Sequence, residues 1–212
     1  MSDELLDRLA DQLTPVRRGT VRAWLVVAVV AGVLAAAAIM VPWLGLRPDL
    51  ARAVTTPIFW SKFAFTLVLL GLGFWAAHRL ARPGGSLRAP VFGVLGLIAV
   101  TAAAGIVQIL LAEPGRVRAL VLGGSALVCP FYIVALSLPV LVAAVLVMRR
   151  LAPTNLPAAG FAAGLLAGAA GAWVYAFHCT ESGLPFITLW YTTGILAAAL
   201  IGAALGRWLL RW

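Results

Sequence analysis

The feature that most constrains this chain is a series of long apolar stretches that carry no formal charge. About 20 residues at a rise of about 1.5 Å each are enough to cross the hydrocarbon core of a bilayer. With 63% hydrophobic and only 11% charged residues, the chain is too apolar for a soluble domain. The sequence therefore predicts an all-α, polytopic membrane protein, a bundle of six transmembrane helices. These spans cover about residues 23–44, 63–80, 90–111, the later part of 119–148, 158–177 and 187–206.

The fourth stretch, residues 119–148, is longer than one straight span requires. Gly123-Gly124-Ser125 lies near its start, and Pro130 and Pro139 lie within it. Because these residues interrupt or bend helices, we expect the span to occupy the later part of the stretch. The earlier part would be a broken segment near the membrane surface, with Cys129 near the break.

Two further features of the spans give expectations about packing. Gly160, Gly164 and Gly168 form overlapping G-x-x-x-G spacings, which let helices approach closely. Contact between copies of the chain and packing within one chain both explain this pattern, and we favour packing within the chain. Before the second span, Trp60 is expected at the membrane interface together with Phe59, and Lys62 is expected to extend its ammonium group towards water.

The basic residues indicate which side of the membrane each link faces. Eleven of the sixteen lie at the termini and in the second and fourth links, and the link that contains Cys179 has none. Under the positive-inside rule, both termini are cytoplasmic and the Cys179 link is outside. The lipid bilayer is one partner, and in a bacterium the outer side is an oxidising compartment. Because no nucleic-acid-binding motif accompanies the arginines, the net charge of +9 reflects topology and not direct nucleic-acid binding.

Residues 1–22 are predicted to form a cytoplasmic segment ahead of a membrane domain of residues 23–212. Ser2 can cap a short amphipathic helix whose polar face is acidic, whereas membrane-surface helices usually carry Lys and Arg there. We therefore favour a helix that binds a protein partner over a frayed, solvated tail. The residues on its apolar face are Leu5, Leu6, Leu9 and Leu13.

The sequence argues against ion-coupled transport, haem binding and catalysis. No span carries a mid-membrane charge, which argues against an ion-coupled transporter. His78 and His178 fall on opposite sides of the membrane, which argues against a bis-histidine haem. No catalytic constellation is found, so we expect a protein that is not an enzyme.

The remaining reactive groups are Cys129 and Cys179, with His178 and Glu181 beside the second cysteine. The cysteines can form a disulfide, or they can bind a soft metal with His178 as a third ligand. They can also be inert and packed as small apolar residues. Because both thiols would face an oxidising compartment, we favour a sensor. No cofactor is expected beyond such a metal.

Several short motifs, in this order and spacing, resemble those of one family over nearly the whole chain. The residues that carry the resemblance are Pro15-Val16-Arg17-Arg18, Gly45-Leu46-Arg47-Pro48-Asp49-Leu50, Phe59-Trp60, Lys62, Leu127-Val128-Cys129, Leu136-Ser137-Leu138-Pro139, Ala152-Pro153-Thr154, Tyr175-Ala176-Phe177-His178-Cys179 and Phe186-Ile187-Thr188-Leu189-Trp190-Tyr191. The chain resembles the NrsF family, inner-membrane anti-sigma factors named for negative regulation of sigma F.

The resemblance implies six spans and a cytoplasmic N-terminal segment that holds an extracytoplasmic-function sigma factor. It also implies a role for Cys129 and Cys179 in the response to a signal. The alternative from another functional class is a small membrane carrier, or a scaffold subunit of a metal-handling or respiratory complex. A polar, ligand-sized cavity would favour the carrier, and a tightly packed bundle would favour the regulator.

Overall fold

The structure is a computed structural model that describes residues 19–82, 84–151 and 153–211. The four leucines predicted to bind a partner, Leu5, Leu6, Leu9 and Leu13, lie outside these residues. The described chain is helical and contains no strand. Six of its helices are long and apolar enough to cross a membrane, which confirms the predicted all-α class. They are α1 (Thr20–Leu44), α3 (Pro57–Leu80), α4 (Arg88–Leu110), α6 (Cys129–Arg149), α7 (Leu156–Tyr175) and α8 (Leu184–Leu209); α2 (Leu50–Ala53) and α5 (Val117–Leu122) are short.

The fourth span begins late, as predicted. Helix α5 ends at Leu122 and is followed by Gly123, which has a φ of +52°, and α6 starts only at Cys129. Pro130 lies in the first turn of α6, where a missing N–H costs no intrahelical hydrogen bond. Cys129 therefore lies at the break between the surface segment and the span.

The second span starts earlier than expected, at Pro57, so that Lys62 lies inside the helix. The expectation that Lys62 reaches for water is wrong, because the residue is only 1% exposed. Its ammonium group donates hydrogen bonds to backbone carbonyls of the protein, which replace water. Phe59 is also buried, while Trp60 is exposed as an interfacial residue would be.

Helix α7 is the centre of the bundle. In its apolar stretch 83% of the residues are buried, against 44% or less in each of the other long helices. It packs against α8, α6 and α3. The glycines allow this packing: a Cβ atom on Gly164 would lie 2.7 Å from the Cα of Ala199 and would also meet the carbonyl of Ala198. The G-x-x-x-G residues thus pack within the chain.

The links between the long helices gather at two ends of the bundle. At one end Arg47 donates its backbone N–H to the carbonyl of Phe177, and the Leu184 N–H bonds the side chain of Gln108. We call this end, with residues 45–56, 111–128 and 176–183, the cysteine end. At the opposite end the guanidinium of Arg150 lies over the ring of Trp24. We call it the arginine end; it includes the links at residues 81–87 and 150–155.

The contact between α7 and α8 gives a first prediction. Gly164→Ala should destabilise the protein by about 1–3 kcal/mol, because the added methyl forces two backbones apart. Gly71→Ala is the matched control, since no atom lies within 4 Å of the position of its Cβ. It should be neutral or stabilise by up to about 1 kcal/mol through helix propensity. Thermal unfolding of the full chain in detergent measures both, and equal midpoints would contradict the close contact.

Candidate functional site

The two cysteines lie at the cysteine end in one buried cluster. Cys129 is the first residue of α6, and Cys179 follows the end of α7. Both carry free thiols, and they are 0% and 3% exposed. They belong to the same hydrophobic core cluster. The structure therefore brings together the two residues that the sequence singled out.

Aromatic side chains surround this cluster. Tyr175 and Tyr191 are both buried, with ring centroids 5.9 Å apart, and the ring of Tyr132 packs at the same distance from Tyr175. Phe186 completes the buried wall. Because protein interiors are close-packed, a bond or ligand added at either sulfur has to displace some of these rings.

His178 is half-buried, and its side chain is oriented by contacts with the link after α1 and with two tyrosines. Its Nδ1 lies 3.0 Å from the carbonyl oxygen of Gly45, a hydrogen bond to the residue that ends α1. Its ring packs against Tyr175 and Tyr132. In the described chain no three His, Cys, Asp or Glu residues form a group that could hold a metal ion. Binding of a soft metal by the cysteines stays a prediction.

Arg47 connects the link after α1 to the link that carries Cys179. Its guanidinium donates to the carbonyl of Cys179 at 3.2 Å and to that of Thr180 at 3.5 Å. It also forms a bidentate pair with Asp49, at 2.7 and 2.8 Å. The hydrogen bonds of this pair raise the pKa of Arg47 and lower that of Asp49 from its usual range. Arg47 thus remains charged while only 6% exposed.

Lys62 reaches the same link from α3. Its ammonium donates to the carbonyl of Cys179 at 3.0 Å and to that of Glu181 at 2.6 Å, and it lies 5.7 Å from the centre of the Tyr191 ring. Burying a cation is costly unless such acceptors replace water. We call Arg47 and Lys62 together the carbonyl clamp, because both donate to the Cys179 carbonyl.

Glu181 fastens the same link to the broken segment before α6. Its carboxylate accepts a hydrogen bond from the N–H of Gly124 at 2.8 Å and one from the hydroxyl of Ser125 at 3.1 Å. The carboxylate lies so close to Gly123 that a Cβ atom there would collide with it. The Cys179 link is therefore held by α3, by the link after α1 and by the segment before Cys129.

The clamp residues are the part of the site that the sequence prediction missed. A signal for one of them was present: Lys62 is the only lysine among sixteen basic residues and lies at the start of an apolar span. A cation in such a position is usually kept for a specific partner. Arg47 was treated only as part of a link, because nothing local shows that its side chain meets residues more than 130 positions away.

Comparison with known proteins identifies the family. The family model described as "Negative regulator of sigma F" matches residues 9–212. The "Anti-sigma-F factor NrsF" of Caulobacter vibrioides is 40% identical over 226 aligned residues, which cover 100% of this chain and 99% of that protein. The "Probable anti-sigma-F factor NrsF" of Azospira oryzae is 40% identical over 188 aligned residues, 85% of each protein. No solved structure matches the chain.

The match covers both cysteines, both clamp residues and all six long helices. The family is regulatory and not enzymatic, in agreement with the sequence prediction. On this coverage and identity, the chain belongs to the NrsF family of negative regulators of sigma F.

Proposed function

We propose that this protein is a multi-pass anti-sigma factor of the bacterial inner membrane, with both termini in the cytoplasm. Residues 1–22 hold an extracytoplasmic-function sigma factor, and a signal at Cys129 and Cys179 releases it. The observation that carries the proposal is family membership, with a relative named as an anti-sigma-F factor that matches over nearly its full length. The excess of arginine at the termini and in the second and fourth links supports the orientation.

The four leucines of the N-terminal segment give the proposed binding surface. At about 25 cal/mol per Å² of apolar surface, several buried leucines supply a few kcal/mol. This is modest affinity, but the membrane confines the segment and keeps the released partner near it. A sigma factor held in this way is kept from RNA polymerase.

Helix α1 supports a physical route from the cysteines to this segment. Its first three residues, from Thr20, belong to the segment, and it ends at Leu44, one residue before Gly45. Gly45 and Arg47 make four hydrogen bonds to residues 177–180, one of them through His178 and one to the Cys179 carbonyl. In the proposal, oxidation or soft-metal ligation at the two cysteines displaces the Cys179 backbone, weakens the carbonyl clamp and shifts α1.

The cavity that lies between α3, α4, α7 and α8 supports a regulator more than a carrier. Its volume is about 220 Å³, and its walls are apolar side chains such as Leu69, Val94 and Ile195, with Thr192 as the polar exception. A carrier for a polar solute needs convergent polar groups in its cavity.

Capture of the sigma factor tests the central proposal. Full-length protein in membranes should retain the sigma factor, and a chain without residues 1–14 should not. In the intact chain, Leu5→Asp with Leu9→Asp should also abolish retention, because the charges oppose burial of the apolar face. Asp7→Asn on the polar face is the matched control and should retain the partner. Equal retention by the truncated chain would refute sigma binding through this segment.

The cysteines have a separate test. Replacing Cys129 and Cys179 together by serine should make a sigma-dependent reporter gene unresponsive to oxidants and soft metals, because the thiol chemistry is removed while the volume is nearly kept. Sigma binding without signal should persist. A normal response of the double variant would overturn the cysteine mechanism and leave the sigma-binding proposal intact.

The carbonyl clamp gives a third test, which concerns the proposed route from the two cysteines to the N-terminal segment. Arg47→Met should raise the rate at which a maleimide labels Cys179 by about tenfold, because about 1.4 kcal/mol of restraint on the link is lost. The variant should also release the sigma factor without a signal. Arg52→Met is the control, since this arginine is exposed, lies five positions away and is not one of the described side chains that donate to the Cys179 link. Faster labelling with unchanged sigma retention would exclude the route through α1.

A further inference from the structure

A groove on the lateral surface of the bundle lies between α1 and α6 near the arginine end. Its volume is about 320 Å³. Its floor is formed by small residues, Ala28, Ala31 and Ala143, and its rims by Val27 and Leu146. We call it the lateral groove. It faces the hydrocarbon region in a membrane-spanning bundle, because Val27 and Leu146 are both more than half exposed.

The groove starts next to the closest approach of the two helices. A Cβ atom on Gly32 would lie 2.6 Å from the Cα of Val140, so the backbones of α1 and α6 nearly touch there. The groove occupies the side of this contact that leads towards Trp24 and Arg150. From Ala31 to Trp24 it extends along about 10 Å of helix axis.

The polar end of the groove is cationic. The guanidinium of Arg150 lies 5.8 Å from the centre of the Trp24 ring, and both residues line the groove. Arg149 and Arg22 are exposed at the same end. Within the described residues none of these three arginines forms an ion pair with a carboxylate; the ion pair found there, between Arg47 and Asp49, lies at the cysteine end.

We propose that the lateral groove binds an anionic phospholipid. An acyl chain lies on the alanine floor, and the phosphate meets Arg150, with Arg149 and Arg22 beside it. A narrow apolar channel that ends in a tryptophan and in guanidinium groups with no ion pair among the described residues matches this ligand in both parts. Tryptophan favours the level of the headgroups, and guanidinium groups bind phosphate oxygens through paired hydrogen bonds. Basic pockets between spans bind anionic headgroups by the same chemistry.

The bound lipid would join α1 to α6 at the end of α1 that leads to the N-terminal segment. This inference does not depend on the identity of the partner of that segment. It concerns a binding site that neither the family description nor the cysteine mechanism requires.

The test uses the full chain purified in detergent, with bound lipid counted by native mass spectrometry. Dioleoyl phosphatidylglycerol should bind more tightly than dioleoyl phosphatidylcholine, which has the same chains but no net charge. Arg150→Gln should weaken phosphatidylglycerol binding about fivefold, the factor that about 1 kcal/mol per arginine gives. Arg88→Gln is the matched control, an exposed arginine at the same end but outside the groove, and should change little.

A second variant tests the apolar part without changing a charge. Ala31 is exposed on the groove floor, so Ala31→Leu should fill the channel and weaken phosphatidylglycerol binding while the protein still folds. Equal binding of the two lipids, or equal effects of Arg150→Gln and Arg88→Gln, would overturn the proposal. Full displacement of the lipid by inorganic phosphate would also overturn it, because the site would then bind a free anion.

Discussion

The structure depends on the close backbone packing of α7. A helix made largely of alanine and glycine has no long side chains to fill space, so its neighbours approach until their backbones nearly touch, as Gly164 and Ala199 show. Such a contact has little freedom to slide, because a shift of one residue would put a Cβ against a carbonyl. The end of α7 is thereby fixed, and with it the place where the chain leaves the helix and reaches Cys179. The position of the cysteine thus follows from the small residues of the span before it.

The carbonyl clamp is the second constraint, and it is of a different kind. Two buried cations donate to the carbonyl oxygen of Cys179, and each loses an acceptor if that carbonyl moves. A buried cation that loses an acceptor loses stabilisation, so Arg47 and Lys62 both favour the observed position of the Cys179 carbonyl. The helix bundle fixes where the link begins, while Arg47 and Lys62 fix its backbone. This arrangement makes a small chemical change at the Cys179 sulfur matter to residues in two other elements.

Much of the fold could be predicted from the sequence, and the reason is physical. Span length, absence of charge and helix breakers act locally, so the late start of α6 at Cys129 could be read from nearby glycines and prolines. The carbonyl clamp could not be predicted, because its partners at the Cys179 link are backbone carbonyls. Every residue has such a carbonyl, so the sequence does not show which one binds a cation. Lys62 looked like an interfacial lysine because the rule for such lysines takes no account of acceptors supplied by a distant link. The sequence did not decide whether Cys129 and Cys179 lie in one cluster, because this depends on how α6 packs against α7.

Helix α1 joins the two ends of the molecule. At the cysteine end its last turn is fastened through Gly45 and Arg47, and at the arginine end its first turns border the lateral groove. Between them, the backbones of α1 and α6 are in close contact at Gly32 and Val140, and in the proposal this contact acts as a pivot. A rod held at a pivot transmits a displacement from one end to the other with reversed direction. Release of the carbonyl clamp would therefore tilt the start of α1 against α6, which is the motion that a lipid bound across both helices would resist. If both proposals hold, the balance between clamp and lipid would supply the two alternative arrangements that coupling across a membrane needs.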